Sequence, residues 1–304
     1  MLNRIIKIIT WGFFLLAVWI IEKEVRTVGT KNLIDLMQNT PIWVMGIAGI
    51  GVLINYFILS GYDELALCYI GKKLAYKKVF KAAGISFAFG NTTGHTYAAG
   101  GAIRYWFYMP WGISQTKILK MILFETLTVF IGIMLGFILA IGLMPWEDFP
   151  FKDGFYAVGI GLVILMALYI GGIVIPHRKF RIKRITLPAP TLKMTIKQII
   201  IGLGDNISLF LIFYTFLRYH LNASFLETFS IFIIAQSIGF MAQVPGGIGV
   251  FEGAFLYLFP HIGVQKSGIL ASLILFRIFY YFVPFILAMG YLGFKSLRKK
   301  LSGT

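Results

Sequence analysis

Four ionisable residues lie in the most apolar parts of this chain: Arg104, Glu125, Glu252 and Arg277. A charged side chain in hydrocarbon costs about 2.5–3.5 kcal/mol even on lenient insertion scales, so such residues pair with one another or face a polar cavity. An arginine can bind a phosphate through two parallel hydrogen bonds, and a glutamate can accept a proton or a cation. These residues therefore indicate either a site for a charged ligand or ion pairs that hold helices in place.

Glycine-rich breaks precede two of these residues. Arg104 follows "GGAI", and Glu252 follows "VPGGIGVF". The candidate backbone positions of the two breaks are Gly100, Gly101, Pro245, Gly246, Gly247 and Gly249. Glycine permits tight turns and close helix approach, and free N–H groups at a helix end can face an anion. The second break is not a nucleotide-binding P-loop, because it lacks the trailing G-K-[ST].

The composition sets these residues in a membrane. The chain has 304 residues, of which 58% are hydrophobic and only 13% charged, and its mean hydropathy is +0.82. A soluble domain carries about 25% charged residues. The net charge of +16 could suggest nucleic acid in a soluble protein, but membrane proteins concentrate Lys and Arg in cytoplasmic loops. We therefore expect a polytopic membrane protein with no nucleic-acid partner.

Hydropathy and loop charge predict the topology of one all-α polytopic domain over residues 1–304. The predicted full spans are 8–21, 42–61, 118–143, 155–175, 198–218 and 267–294. Two further apolar stretches, each broken by polar residues or glycine, are predicted re-entrant helical hairpins, since broken backbone at membrane depth must be surrounded by protein or a water-filled cavity. The count becomes eight if the hairpins are taken as spans. The basic loop 177–197 and both termini are expected in the cytoplasm.

The order of parts predicts an internal repeat. A span, a hairpin and a span occupy 42–143 and recur in 198–294 with the opposite predicted orientation, as in transporters with inverted repeats and a central substrate site. An offset of 148 residues (252 minus 104) aligns Arg104 with Glu252. We predict one ion pair in each half, Arg104 with Glu125 and Glu252 with Arg277.

Other polar residues are weaker candidates. His95 and Tyr97 lie in the first hairpin, where packing and substrate contact are both open. Asn55, Asp205 and Asn206 are explained most simply by hydrogen bonds between helices. The histidines have no metal-ligand spacing and the only cysteine is Cys68, so we expect no metal and no cofactor.

The two glycine motifs carry a family resemblance. "GGAIRYWFYMPWGIS" and "VPGGIGVFEGAF" resemble the membrane domain of bacterial lysylphosphatidylglycerol synthases, also called multiple peptide resistance factors. The resemblance covers nearly the whole chain. It implies a lipid flippase of the bacterial cell membrane that moves aminoacylated phosphatidylglycerol outward and lowers the binding of cationic antimicrobial peptides. The resemblance also implies that Arg104, Glu252 and the glycines and proline of the second break are functional positions.

Three functions stay open at this point. The first is translocation of an anionic or aminoacylated phospholipid. The second is an intramembrane lipid-modifying enzyme, which would need His95 with Glu125 or Glu252. The third is a membrane partner of a separately encoded synthase, and a second copy of the chain is a further open partner. In the resembling family, lysyl transfer from tRNA belongs to a soluble C-terminal domain. Since the sequence ends at "LRKKLSGT", we expect no phosphatidylglycerol lysyltransferase activity.

Overall fold

A computed structural model of the chain describes residues 30–93, 96–144, 152–174, 179–182, 185–242, 244–259 and 266–301. Its first helices are α1 Thr30–Gln38, α2 Ile42–Tyr69, α3 Tyr76–Thr93, α4 Thr96–Tyr108, α5 Gln115–Leu143 and α6 Lys152–Val174. After a short strand pair follow α7 Leu192–His220, α8 Phe225–Met241, α9 Val250–Leu258, α10 Lys266–Arg277 and α11 Val283–Leu301. Single 3₁₀ turns lie at Met109–Trp111 and Pro245–Gly247, and a π-helical segment at Ile278–Phe282 joins α10 to α11.

Five helices in the described part of the chain are long and apolar enough to cross a membrane. They cover Ile42–Tyr69, Gln115–Leu143, Lys152–Ile173, Leu192–His220 and the continuous stretch Lys266–Lys295. Each has at least 22 residues, and about 20 suffice for the hydrocarbon core. They contain five of the six predicted spans almost completely. The remaining prediction, 8–21, lies outside the described residues.

Large apolar side chains on these helices point outward. On α6, Ile160 is 62% exposed and Leu168 is 67% exposed, and α2 shows Ile50 at 60%. In water such a surface would promote association, whereas lipid tails are a suitable neighbour. The exposed faces therefore agree with a multi-pass membrane protein.

Both predicted hairpins are pairs of shorter helices. The first pair is α3 and α4, between α2 and α5, and the second is α8 and α9, between α7 and α10. The two members of each pair contact one another. Their re-entrant position in a bilayer remains a prediction.

One helix from each predicted unit can be compared at the offset of 148 residues, and the repeat itself remains a prediction. Adding 148 to the bounds of α3, Tyr76–Thr93, gives 224–241, and α8 covers Phe225–Met241. The second unit begins with α7 at Leu192, earlier than the predicted 198. The reason is local: the Thr191 hydroxyl accepts a hydrogen bond from the Met194 N–H at 3.3 Å and so caps the helix. The opposite orientation of this unit remains a prediction of the charge pattern.

The predicted loop 177–197 holds more structure than expected. An antiparallel strand pair, β1 Lys179–Ile182 and β2 Ile185–Pro188, lies in it, and Ile182 pairs with Ile185. These are the only strands in the described ranges. Strand pairing explains how this polar backbone satisfies its hydrogen bonds where the loop leaves the helices.

Glycine and aromatic residues pack the helices. A Cβ on Gly202 of α7 would lie 2.6 Å from the Cα of Gly132 on α5, so these two helices touch through their backbones. Around the second hairpin, the Phe213 ring lies 5.0 Å from Phe255, and Phe232 lies 5.4 Å from Phe251. This aromatic core fixes α9 against α7 and α8.

The π-helical segment has a cause in the sequence. Pro284 has no N–H, so it cannot donate to the carbonyl of Tyr280, four residues back. The Val283 N–H donates instead to the Ile278 carbonyl, five residues back. Such π-bulges are frequent at functional sites, and here the bulge carries Tyr280 and Tyr281.

Candidate functional site

The first buried charge group is the Arg104 cluster, formed by Arg104, Asp63, Tyr108 and Glu125. The Arg104 Nη2 lies 2.6 Å from Asp63 Oδ1, and its Nε lies 2.9 Å from Glu125 Oε2. The Tyr108 hydroxyl donates to Asp63 Oδ2 at 2.7 Å. All four side chains are buried, and the guanidinium lies over the Phe87 ring, 4.7 Å from its centroid.

This cluster joins three helices. Asp63 comes from α2, Arg104 and Tyr108 from α4, and Glu125 from α5. Two carboxylates thus hold one guanidinium, whose Nε also lies 3.1 Å from Asp63 Oδ1. A buried ion group of this kind resists removal of one member, because an unpaired charge remains. The predicted Arg104–Glu125 pair is confirmed.

Glycine makes room for this arginine. A Cβ on Gly100 would lie 3.0 Å from the Ser86 carbonyl oxygen and 3.1 Å from Arg104 Nη1. A Cβ on Gly101 would lie 3.0 Å from a side-chain carbon of Ile122. Both predicted glycines therefore stand at close helix contacts, and Gly100 lies directly beside the cluster.

The second charge group is the Glu252 pair, formed by Glu252 and Arg277. The Arg277 Nε lies 2.5 Å from Glu252 Oε1, as the sequence predicted. The other carboxylate oxygen, Oε2, accepts a hydrogen bond from the Gly249 N–H at 2.6 Å. Glu252 thereby caps the first turn of its own helix, where a negative charge is favourable. Arg277 also donates to the Gly246 carbonyl oxygen.

The turn between α8 and α9 depends on glycine. Gly246, Gly247 and Gly249 have φ values of +60°, +64° and +80°, in the left-handed region that side chains disfavour. Pro245 begins the 3₁₀ turn. Because Glu252 and Arg277 bind the backbone of this turn, the pair holds the broken segment in its shape.

The two hairpin breaks meet inside the protein. A Cβ on Gly246 would lie 3.5 Å from the carbonyl oxygens of both Asn91 and Thr92, at the end of α3. Two hairpins that enter a membrane from opposite sides would meet at their tips in this way. The contact joins the two hairpins at their breaks, and the inversion of the second unit remains a prediction.

A cavity of about 140 Å³ adjoins this contact. It is large enough for several water molecules or a small head group. Residues of both halves of the repeat line it, and its polar lining includes Asn91, Asp205, Asn206, Gln236, Gly246 and Gly247. Neither Arg104 nor Arg277 is among the lining residues.

Asp205 is the carboxylate of this cavity. Its Oδ1 accepts a hydrogen bond from Asn55 Nδ2 at 2.8 Å, and its Oδ2 accepts one from the Tyr62 hydroxyl at 3.0 Å. These bonds join α7 to α2, as predicted for Asn55 and Asp205. The prediction was wrong for Asn206, whose Nδ2 donates to the Gly202 carbonyl within its own helix.

Sequence reasoning missed two members of the Arg104 cluster. The second span was predicted to end at 61, which placed Asp63 in a loop, whereas α2 continues to Tyr69. The apolar run "LALCYI" after Asp63 and Glu64 was the available signal. Tyr108 lies in the aromatic run "YWFYMPW", which gives no sign of a hydrogen bond to a buried carboxylate.

Two candidates stay untested. His95 lies outside the described residues, and the side chain of Tyr97 does too. Across the described ranges, no three His, Cys, Asp or Glu side chains come together as metal ligands.

Residues 5–288 match the family model described as "Lysylphosphatidylglycerol synthase TM region". The chain is 30% identical over 281 residues to "Uncharacterized protein slr0712" of Synechocystis, covering 89% of this chain and 85% of that protein. It is 28% identical to "Inner membrane protein YbhN" of Escherichia coli, covering 97% of this chain and 94% of that protein.

A longer relative matches this chain over only part of its own length. The chain is 24% identical over 278 residues to "Phosphatidylglycerol lysyltransferase" of Bacillus subtilis. The match covers 88% of this chain but only 31% of that protein. The likeness therefore concerns one part of the relative.

Proposed function

Because the chain belongs to the family of lysylphosphatidylglycerol synthase transmembrane regions, we propose that it translocates a phospholipid across the bacterial cytoplasmic membrane. The proposed substrate is an anionic or aminoacylated phospholipid of the lysyl-phosphatidylglycerol type. The observation that carries the proposal is the meeting of two broken hairpins beside a polar cavity. Transporters built from inverted repeats place their substrate sites at such a junction.

Alternating exposure of the cavity is the proposed mechanism. The head group would occupy the polar cavity while the acyl chains stay in the bilayer. The Glu252 pair would hold the turn that lines the cavity, since both of its side chains bind backbone groups of that turn. Both termini are proposed to lie in the cytoplasm, following the charge pattern.

The geometry changes the proposed role of Arg104. A phosphate could reach this guanidinium only by displacing Asp63 or Glu125, both of which already bind it. We therefore assign Arg104 to fixing α4 between α2 and α5.

A second candidate function is a lipid-presenting partner of a separate synthase. The B. subtilis relative favours this function, because that protein is named a lysyltransferase and the matched region makes up only 31% of its length. Such a partner would bind the same lipid without moving it alone. An intramembrane enzyme would need a reactive group at the cavity, and His95 is the residue to test for that role.

The test is lipid movement in proteoliposomes. Lysyl-phosphatidylglycerol, phosphatidylglycerol and a polyprenyl phosphate are followed side by side with membrane-impermeant head-group reagents. The proposal expects protein-dependent movement of a phospholipid. Movement is expected to be lost in Glu252→Gln and kept in Glu64→Gln, whose carboxylate is exposed on α2. Head-group products are analysed in the same samples.

The outcomes separate the functions. No movement together with saturable lipid binding would favour the partner role, and a new lipid product would favour the enzyme. Equal movement in wild-type protein and Glu252→Gln would contradict the proposed role of the broken hairpin.

A further inference from the structure

The cavity offers acceptors to a ligand and contains a carboxyl group that has no cationic partner among the described residues. Asp205 receives hydrogen bonds from Asn55 and Tyr62, both neutral. Within the described residues no Lys, Arg or His forms a salt bridge with it. A carboxylate in such a place is expensive unless an opposite charge joins it.

Two amide oxygens in this region also lack partners. Gln236 lines the cavity, and its Oε1 is buried without a hydrogen-bond partner among the described residues. The same holds for Oδ1 of Asn55, beside Asp205. Buried acceptors of this kind call for a donor from a ligand or water.

The helix ends add negative potential. The cavity lining includes Asn91 near the end of α3 and Gly239 and Phe240 near the end of α8. A helix C-terminus carries a partial negative charge of about half an electron. In transporters with broken helices, such ends and unwound carbonyls coordinate cations.

Much of the remaining wall is aromatic. Seven aromatic residues line the cavity, among them Phe232, Phe276 and Tyr281. An organic ammonium is stabilised over aromatic faces by the negative face of the ring. A small inorganic cation would instead seek a close cage of oxygen ligands.

We infer that this cavity is an ammonium-binding site, with Asp205 as its counter-ion and the aromatic wall around it. Its ligand class is the primary ammonium of a lipid head group, such as an aminoacyl ester. This inference rests on the proposed function and names the part of the substrate that the cavity binds. A phosphate is disfavoured there, because both buried arginines are engaged elsewhere.

The test measures binding by the full-length protein in detergent. The probe is L-lysine methyl ester, followed by titration calorimetry, with sodium chloride and glycerol 3-phosphate as separate titrants. Wild-type protein is expected to bind the ester and neither comparator. Asp205→Asn, which keeps the shape, is expected to bind it at least about tenfold more weakly, since a charge-assisted interaction is lost. Asp153→Asn, an exposed aspartate on α6, is the matched control and is expected to bind normally.

Several results would overturn the inference. These are unchanged affinity in Asp205→Asn, equal binding of glycerol 3-phosphate, or Asp205-dependent binding of sodium that displaces the ester. If Asp205→Asn does not fold, the three titrations of wild-type protein still decide between cation and anion. If lipid moves but the ester does not bind, the inference is wrong and the proposed function stands. If the ester binds but no lipid moves, the proposed function is wrong and the ammonium site stands.

Discussion

Replacing Arg104 with methionine tests the account of the Arg104 cluster. The change keeps an unbranched side chain but removes the single cation between Asp63 and Glu125, which lie 2.6 and 2.9 Å from it. Breaking a buried ion pair on one side costs about 3–5 kcal/mol, and here two carboxylates lose their partner. In large chains each kcal/mol shifts the melting temperature by about 2–4 °C, so a fall of about 6 °C or more is expected.

The assay is thermal unfolding of purified protein in one detergent, with Arg218→Met as the matched control. Arg218 is exposed near the end of α7, so its loss is expected to leave the melting temperature nearly unchanged. Adding Asp63→Asn and Glu125→Gln to Arg104→Met removes the uncompensated charge and is expected to recover much of the loss. A fall of less than about 2 °C in Arg104→Met would refute the reasoning, since on the same scale it corresponds to no more than one kcal/mol.

Exchanging the charges of Arg104 and Glu125 tests how much Asp63 contributes to the Arg104 cluster. Arg104→Glu combined with Glu125→Arg would restore a simple pair. It would also place the new glutamate beside Asp63, which contacts position 104 from α2. The exchange is therefore expected to leave the melting temperature well below that of the wild type. Full recovery would show that Asp63 contributes little.

Three further predictions concern backbone contacts and orientation. Gly202→Ala places a Cβ 2.6 Å from the backbone of Gly132, and it is expected to lower the stability in thermal unfolding by about 1–3 kcal/mol. In the control Gly204→Ala, the nearest neighbour of the new Cβ is a side chain at 3.8 Å, so little loss of stability is expected. Gly249→Ala, at φ +80°, is expected to lower the stability by about 1–2 kcal/mol. Gly253→Ala has open space around its Cβ and is expected to keep the stability of the wild type. Equal melting temperatures of the two variants in either pair would contradict these assignments. Cys68, which is exposed near the end of α2, is expected to react with a membrane-impermeant maleimide only from the cytoplasmic side, and labelling from outside would contradict the topology.

The sequence predicted the ion pairs better than it predicted their surroundings. Arg104 with Glu125 and Glu252 with Arg277 could be paired because charges in an apolar chain have few other partners. Asp63 was missed because the predicted span ended at residue 61, whereas α2 continues to Tyr69 and holds this charge in a buried pair. The length of α2 was therefore decided by tertiary contact.

The cavity could not be predicted from residue types. Asp205 was expected to bond between helices, and it does so with Asn55. Asp205 also lines the cavity together with Gln236 and Gly246. This position depends on how the two hairpins meet. Such a meeting is set by packing between distant segments, and the π-bulge after Arg277 contributes to it.

The most direct test of the central claim is the initial rate of lysyl-phosphatidylglycerol movement in proteoliposomes, for wild-type protein and Glu252→Gln at equal reconstitution. The account predicts protein-dependent movement that falls at least about tenfold in the variant, since a charge-assisted hydrogen bond contributes about 1.5–3 kcal/mol and 1.36 kcal/mol is tenfold in rate. Movement at the same rate in both proteins, or at the rate of empty liposomes in both, would contradict it.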